Sequence, residues 1–308
     1  MRLDTHVHLV PDGYRTVVEK RSLSPLPLPP WSREMSEEFM DRYEIDAAVI
    51  SLAPPGVWFG DSGLAAELAR IVNAATAELV RAAPQRFAGL AVLPLPDVDA
   101  ALAELSHALD VLGLDGVALL SNVDGIYPGD DRLEPVWTEL DRRGAYVFLH
   151  PAAPVPAPAL PHHPIWLYEF VFDTTRALVN LVYSGTLERS PGLRLQVAHL
   201  GGTAPFLAHR IDSLAAREPE KAAAAPSGAL AGLGRCWYDT GLSNHASAVE
   251  AAAAVVPLER IVFGTDWPYA ALPQAGDPAP ELEAFGDKRA LIDSANAGAL
   301  VPRLLSRP

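Results

Sequence analysis

The chain has 308 residues, 49% of them hydrophobic and 20% charged, a balance that permits a large buried core and excludes a disordered polymer. A formal net charge of −14 argues against a nucleic-acid or anionic-membrane binder, and it means that an anionic substrate must be met by a local cation or a metal. The single cysteine, Cys236, excludes an intrachain disulfide framework and a cysteine-rich zinc site. No apolar run reaches membrane-spanning length and Met1 leads straight into a strand, so a cytoplasmic location is the expectation.

Taken in chain order, short β-rich runs alternate with helical patterns. Strands are predicted over residues 2–8, 47–53, 87–95, 116–120, 145–151, 193–200, 236–242 and 261–267. Helices are predicted over 63–83, 98–112, 133–143, 172–189, 205–217 and 246–256, several with three-and-four apolar spacing, as in Leu102, Leu105, Leu109 and Leu112. This alternation predicts one α/β domain over 1–308, a (β/α)₈ TIM barrel with loop insertions at its C-terminal mouth. A doubly wound open sheet is the alternative. Two Pro-rich stretches, 22–30 and 151–164, read as loops over the mouth or as inert connections. The Ala-rich stretch 222–234 reads as another loop.

The strand ends carry the chemistry. His6 and His8 stand one residue apart in the first strand, and residues i and i+2 of a strand share a face. Alone, that pair is equally well a core histidine beside an accidental one. In a barrel, however, catalytic groups sit where strands end. The fifth strand ends in His150, the sixth in His199 and the eighth in Asp266. Four histidines and a carboxylate at one mouth predict a metal site. Imidazole with carboxylate suits Zn²⁺ first, with Mn²⁺ or Fe²⁺ compatible. None of the three lysines, Lys20, Lys221 and Lys288, lies on a strand to bridge a second ion, so one divalent ion is expected.

In order along the chain, Asp4-Thr5-His6-Val7-His8, Phe148-Leu149-His150-Pro151, Ala198-His199-Leu200-Gly201-Gly202 and Gly264-Thr265-Asp266-Trp267-Pro268 resemble the amidohydrolase superfamily. The resemblance covers essentially the whole chain. Its pattern is similar to the decarboxylase branch that includes aminocarboxymuconate-semialdehyde decarboxylase. The nearest likeness is to 6-methylsalicylate decarboxylase-like members, through residues 55–61, 93–99 and 172–176. The resemblance implies His6, His8, His150 and Asp266 as metal ligands, with His199 beside the metal in proton transfer or water activation. It also implies a substrate-binding Arg210 lent across a homodimer interface. The second substrate arginine of that branch has no convincing counterpart, since neither Arg21 nor Arg33 aligns, which points to a different substrate.

Other candidates carry two readings each. Trp58 and Phe59 could wall a planar ligand or pack under the Pro-rich loop. Arg176 could bind a carboxylate or pair with Asp173. His245, at a helix start past strand seven, could face the pocket. His162 and His163 read as solvated loop residues, and His107 and His209 as non-ligands. Trp267 could fix the orientation of its neighbour Asp266. Asp239 is assigned no catalytic role. The expected activity is non-oxidative, metal-dependent decarboxylation of a small aromatic or conjugated carboxylic acid, with His199 or Asp266 as proton donor. Hydrolysis of a lactone, ester or amide at the same site is the alternative, and a non-catalytic binding barrel is a third reading.

Overall fold

Strands covered on both faces read as nearly continuous apolar runs, and the runs at 47–53 and 145–151 are of that kind. In a computed structural model, which describes residues 1–24, 27–156 and 162–305, they contain the second and fifth of eight strands. These are β1 (Leu3–Leu9), β2 (Ala47–Leu52), β3 (Phe87–Val92), β4 (Gly116–Leu120), β5 (Tyr146–His150), β6 (Arg194–Val197), β7 (Trp237–Asp239) and β8 (Ile261–Val262). Every pairing is parallel and joins strands consecutive in the chain. Beyond β8 the chain runs on beside β1: Phe263 O accepts Thr5 N–H at 2.9 Å, and Trp267 O accepts His8 N–H at 2.8 Å. These bonds bring the last strand back to the first. The fold is a (β/α)₈ barrel, and the open-sheet alternative is excluded.

Alternate strand residues belong to two different cores. Leu3, Val49, Leu90, Tyr146, Phe148 and Val262 meet one another inside the ring. Their sequence neighbours, such as Ile50, Val117, Val147 and Leu149, pack outward under the helices. The interior cluster also takes in Ala297, Leu300, Val301 and Leu304 from the C-terminal segment. Arg194, at the start of β6, donates to Ala299 O at 3.0 Å and Leu300 O at 3.1 Å. This segment therefore stoppers the N-terminal end of the barrel.

Side-chain caps start several helices. Ser32 accepts Met35 N–H for α2 (Arg33–Arg42), Asp61 accepts Leu64 N–H for α3 (Ser62–Ala82), and Asp97 accepts Ala100 N–H for α4 (Val98–Ser106). Before them comes α1 (Asp12–Lys20), and after them α5 (Glu134–Arg142) and α6 (Glu169–Tyr183). Neither α1 nor α2 was expected from the pattern. The predicted helix 172–189 instead starts at Glu169 and breaks at Gly185, whose φ of 76° leaves the helical region. The stretch 222–234 is not all loop: Gly228–Gly234 is helical because Ala229 and Leu233 are drawn into the core. Strands six to eight are shorter than expected; His199 follows β6 with a φ of 55°, and Asp266, past β8, has a φ of 67°. The loop expected at 22–30 lies partly outside the described residues, as does that at 151–164. No helix among the described residues is long and apolar enough to cross a membrane.

Candidate metal centre

The first strand shows how local geometry aims a side chain. Thr5 faces the barrel interior, where Gln196 Nε2 donates to its Oγ1 at 3.2 Å. Strict alternation would send His6 and His8 outward. A register shift between Asp4 and Val7 reverses the phase, so both imidazoles turn inward and Val7 and Leu9 pack under the helices. His150 closes β5, His199 follows β6, Asp239 closes β7 and Asp266 follows β8. None of these six is more than 5% exposed.

Four of them converge. One ligating atom from each of His6, His8, His150 and Asp266 lies within 4.8 Å of all the others. His6 Nε2 and His8 Nε2 are 3.0 Å apart, and they stand 3.2 Å and 2.9 Å from Asp266 Oδ1. Each ring is fixed by a bond on its far side. Asp239 Oδ1 accepts from His6 Nδ1 at 2.9 Å, Ser51 O from His8 Nδ1 at 3.3 Å, and Pro151 O from His150 Nδ1 at 2.8 Å. Each Nδ1 thus has its partner on the far side of the ring, and each Nε2 is turned inward, where an unprotonated imidazole can ligate. His150 Nε2 is buried without a hydrogen-bond partner. Three imidazole nitrogens and a carboxylate oxygen turned toward one point are a donor set that fits a divalent cation.

The electrostatics agree. Burial opposes charge on His6, but the carboxylates of Asp239 and Asp266 overcome it and raise its pKa to about 10. Burial lowers His8, and it holds His150 well below the ordinary imidazole value, with the neighbouring histidines adding to the effect. For Asp266 burial works the other way, yet the charge of His6 and hydrogen bonds from the histidines keep it well below the usual carboxylate range. The pocket thus draws positive charge to its centre.

His199 stands beside this group. Its Nε2 lies 3.3 Å from Asp266 Oδ2, and its backbone N–H donates to Asp239 Oδ1 at 3.2 Å. The turn that places it requires Gly202, whose φ is 65° and where a Cβ would fall 2.1 Å from Val171 O. Asp266 is held in turn by its N–H on His6 O at 2.8 Å. Trp267 stacks on Phe39 at 4.8 Å and anchors the strand end beside it.

A family model described as Amidohydrolase matches residues 3–297. The chain belongs to the amidohydrolase family. It is similar to a 6-methylsalicylic acid decarboxylase of Penicillium expansum, 29% identical, with 98% of this chain and 97% of that protein covered. A 6-methylsalicylic acid decarboxylase of Aspergillus aculeatus is 32% identical over 88% of this chain and 85% of its own length. A solved dihydroxybenzoic acid decarboxylase from Polaromonas, with bound manganese and the inhibitor 2-nitroresorcinol, shares the fold. Its TM-score is 0.83 at 24% identity, covering 100% of this chain and 98% of that one.

The remaining residues singled out in this amidohydrolase are not among the four convergent groups. Trp58 and Phe59 are half-buried against the cluster around Tyr14, Val57 and Leu64. Arg176, 48% exposed, pairs with Asp173 Oδ1 at 3.5 Å and Glu169 Oε2 at 3.7 Å, so its charge is already met by two carboxylates. His245 sits at the start of helix Ala246–Ala253 but is 68% exposed and pairs with Glu281 Oε1 at 2.9 Å; it does not face the pocket. Arg210 is on the exposed side of helix Ala204–Asp212, as are His209 and Phe206. His162 and His163 are exposed. One residue went unnoticed in the sequence, and another was noticed but given no part. Tyr269 places its ring 5.6 Å from that of His8, and Asp239, read as having no catalytic part, orients His6. A carboxylate closing strand seven was the available signal for Asp239.

Proposed function

We propose that this amidohydrolase is a metal-dependent, non-oxidative decarboxylase of a small aromatic acid of the salicylate type. The observation that carries the reading is the convergence of the three Nε2 atoms with the Asp266 carboxylate at the barrel mouth. The similarity to 6-methylsalicylic acid decarboxylases favours release of CO₂ over hydrolysis at the same residues. His6, His8, His150 and Asp266 would hold one divalent ion. The donor set suits Zn²⁺, with Mn²⁺ as the alternative. Bound there, the ion supplies Lewis acidity toward the substrate carboxylate and an adjacent phenol oxygen.

The protein's own groups handle the proton. His199 Nε2 and Asp266 Oδ2, 3.3 Å apart, share a hydrogen at the pocket wall. That proton is delivered to the ring carbon bearing the carboxylate. The bond to the carboxylate then breaks, its electron pair restores the aromatic ring, and CO₂ leaves. A proton from solvent resets the pair. Tyr269, beside His8, and the aromatic pair Trp58 and Phe59 would line the approach of the planar substrate. Arg210 would reach the substrate of a second copy, so the working form is a homodimer joined at the mouth. Its exposed position on helix Ala204–Asp212, next to Phe206 at 84% exposure, supports this. A cytoplasmic enzyme is consistent with one buried, unpaired cysteine.

The test is elemental analysis of the purified protein together with a screen of hydroxybenzoates for CO₂ release and of lactones for new carboxylate. About one metal per chain and CO₂ from a hydroxybenzoate are expected. His150→Ala and Asp266→Ala should lose both metal and turnover. Full activity in a metal-free variant would overturn the reading, and lactone opening without CO₂ would replace it by hydrolysis.

A further inference from the structure

We infer that Asp173 is a positioning residue for His150, acting through the Ser121 hydroxyl and one peptide group. The inference rests on the metal-ligand part proposed for His150. Asp173, on α6, is fully buried. Its Oδ2 accepts the Ser121 hydroxyl, and also Asn122 Nδ2–H at 2.7 Å; its Oδ1 accepts the Tyr127 hydroxyl at 2.5 Å. Ser121 and Asn122 directly follow β4, the strand beside the one that ends in His150.

The direction of each bond in this chain is fixed. Ala152 N–H can only donate, and it donates to Ser121 Oγ at 2.8 Å. The Ser121 hydrogen is therefore free for Asp173 and points there. The N–H of Ala152 and the C=O of Pro151 belong to one planar peptide group. That same carbonyl accepts His150 Nδ1–H at 2.8 Å. So one peptide plane is held at both ends, by a serine on one side and the imidazole on the other. Two further bonds brace it: Ser121 N–H donates to His150 O at 2.8 Å, and Asn122 Nδ2 to Ala153 O at 2.9 Å.

The consequence is a relay of polarity from Asp173 to the ring. A carboxylate draws the serine hydrogen, the serine oxygen becomes a better acceptor for Ala152 N–H, and the Pro151 carbonyl becomes a better acceptor for His150. His6 receives the same support directly, from Asp239. In His150 the carboxylate sits two groups further back. Bonds to the far nitrogen of a ligating histidine fix its orientation and raise its basicity.

The test compares three variants of the full-length protein by competition for Zn²⁺ between the metal-stripped chain and a chromophoric chelator, with thermal unfolding measured alongside. Ser121→Ala cuts the relay at its middle; Asp173→Asn keeps its shape and removes its charge. Both are expected to weaken Zn²⁺ binding by roughly 10-fold or more. Tyr127→Phe takes a hydrogen bond from Asp173 off the route to His150, and it should lower thermal stability while leaving Zn²⁺ affinity near that of the unaltered protein. If Ser121→Ala binds Zn²⁺ as tightly as the unaltered chain, or Tyr127→Phe weakens it as much, Asp173 is structural only and the inference is overturned, with the metal site intact. If the unaltered chain itself binds no Zn²⁺ or Mn²⁺, the metal reading fails first and takes this one with it.

Discussion

Asp239 serves four donors at once. Its Oδ1 accepts His6 Nδ1–H, the backbone N–H of His199 at 3.2 Å and that of Gly241 at 3.0 Å, while Oδ2 accepts Gln196 Nε2–H at 2.8 Å. Asp239→Asn puts an amide donor against one of those donors and removes the charge that fixes the His6 tautomer. Metal affinity should fall roughly 10- to 100-fold, read by chelator competition. Space around His6 is equally constrained. A Cβ on Gly264 would meet His6 Cβ at 2.8 Å and Asp239 Cβ at 3.0 Å, so Gly264→Ala must push the imidazole aside. Reduced metal occupancy in a folded protein is the expected outcome. The His6 charge also has a pH signature. Its pKa is raised to about 10 in the fold against an ordinary 6.5, so its contribution to stability is complete below 6.5 and is lost as pH rises toward 10. Asp4, pushed up to about 7 mainly by burial, lowers stability with rising pH only up to that point. Between pH 7 and 9 the metal-stripped protein should therefore lose stability steadily as the His6 charge is given up. Denaturant unfolding at several pH values measures it, and a flat profile would remove His6 as a charged group.

At the scale of elements, a chain of polar groups runs up the inside of the barrel. Tyr146 OH donates to Gln196 Oε1 at 2.7 Å, Gln196 donates to Asp239, and Asp239 holds His6. Gln196→Leu strands both Tyr146 OH and Asp239 Oδ2 in a dry interior. A stability loss of about 1–3 kcal/mol is expected by denaturant unfolding. Such links explain what was readable in the sequence. His150, His199 and Asp266 were legible because each ends an apolar strand, and a barrel turns strand ends into one surface. The bulge in β1 was not: spacing puts His6 and His8 on a common face, but only the register shift says which face. The bonds from Ser51 O and Pro151 O were hidden as well, since a backbone carbonyl leaves no mark on residue identity. Helices α1 and α2 were missed because only Tyr14 and Val18 are buried on one, and Ser36, Phe39 and Met40 on the other, a stripe too narrow for a periodic signal. The helix Gly228–Gly234 was hidden by its three glycines, whose poor propensity is overridden by burial of Ala229 and Leu233. Arg176 took the second of its two readings, the pair with Asp173, while His245 was expected to face the pocket and does not. Each is engaged by acidic groups, Arg176 by Glu169 and Asp173 on its own helix and His245 by the distant Glu281.

The whole molecule carries a formal charge of −14, while the proposed substrate is an anion. The long-range field therefore opposes encounter, and only the local charge at the metal centre favours it. Added salt screens the former over about 8–10 Å and leaves the latter, at contact distance, largely intact. The second-order rate constant kcat/KM should rise as ionic strength increases from low values toward 0.15 M. A fall would mean that a cationic patch guides the substrate, with Arg210 the first to examine. The C-terminal stopper formed by Leu300, Val301 and Leu304 has a consequence of its own. A tube sealed at one end is a cul-de-sac, with a single doorway for traffic in both directions. The incoming acid and the departing arene then compete for the same passage. The decarboxylated product should act as a competitive inhibitor, read as a rise in KM at unchanged kcat.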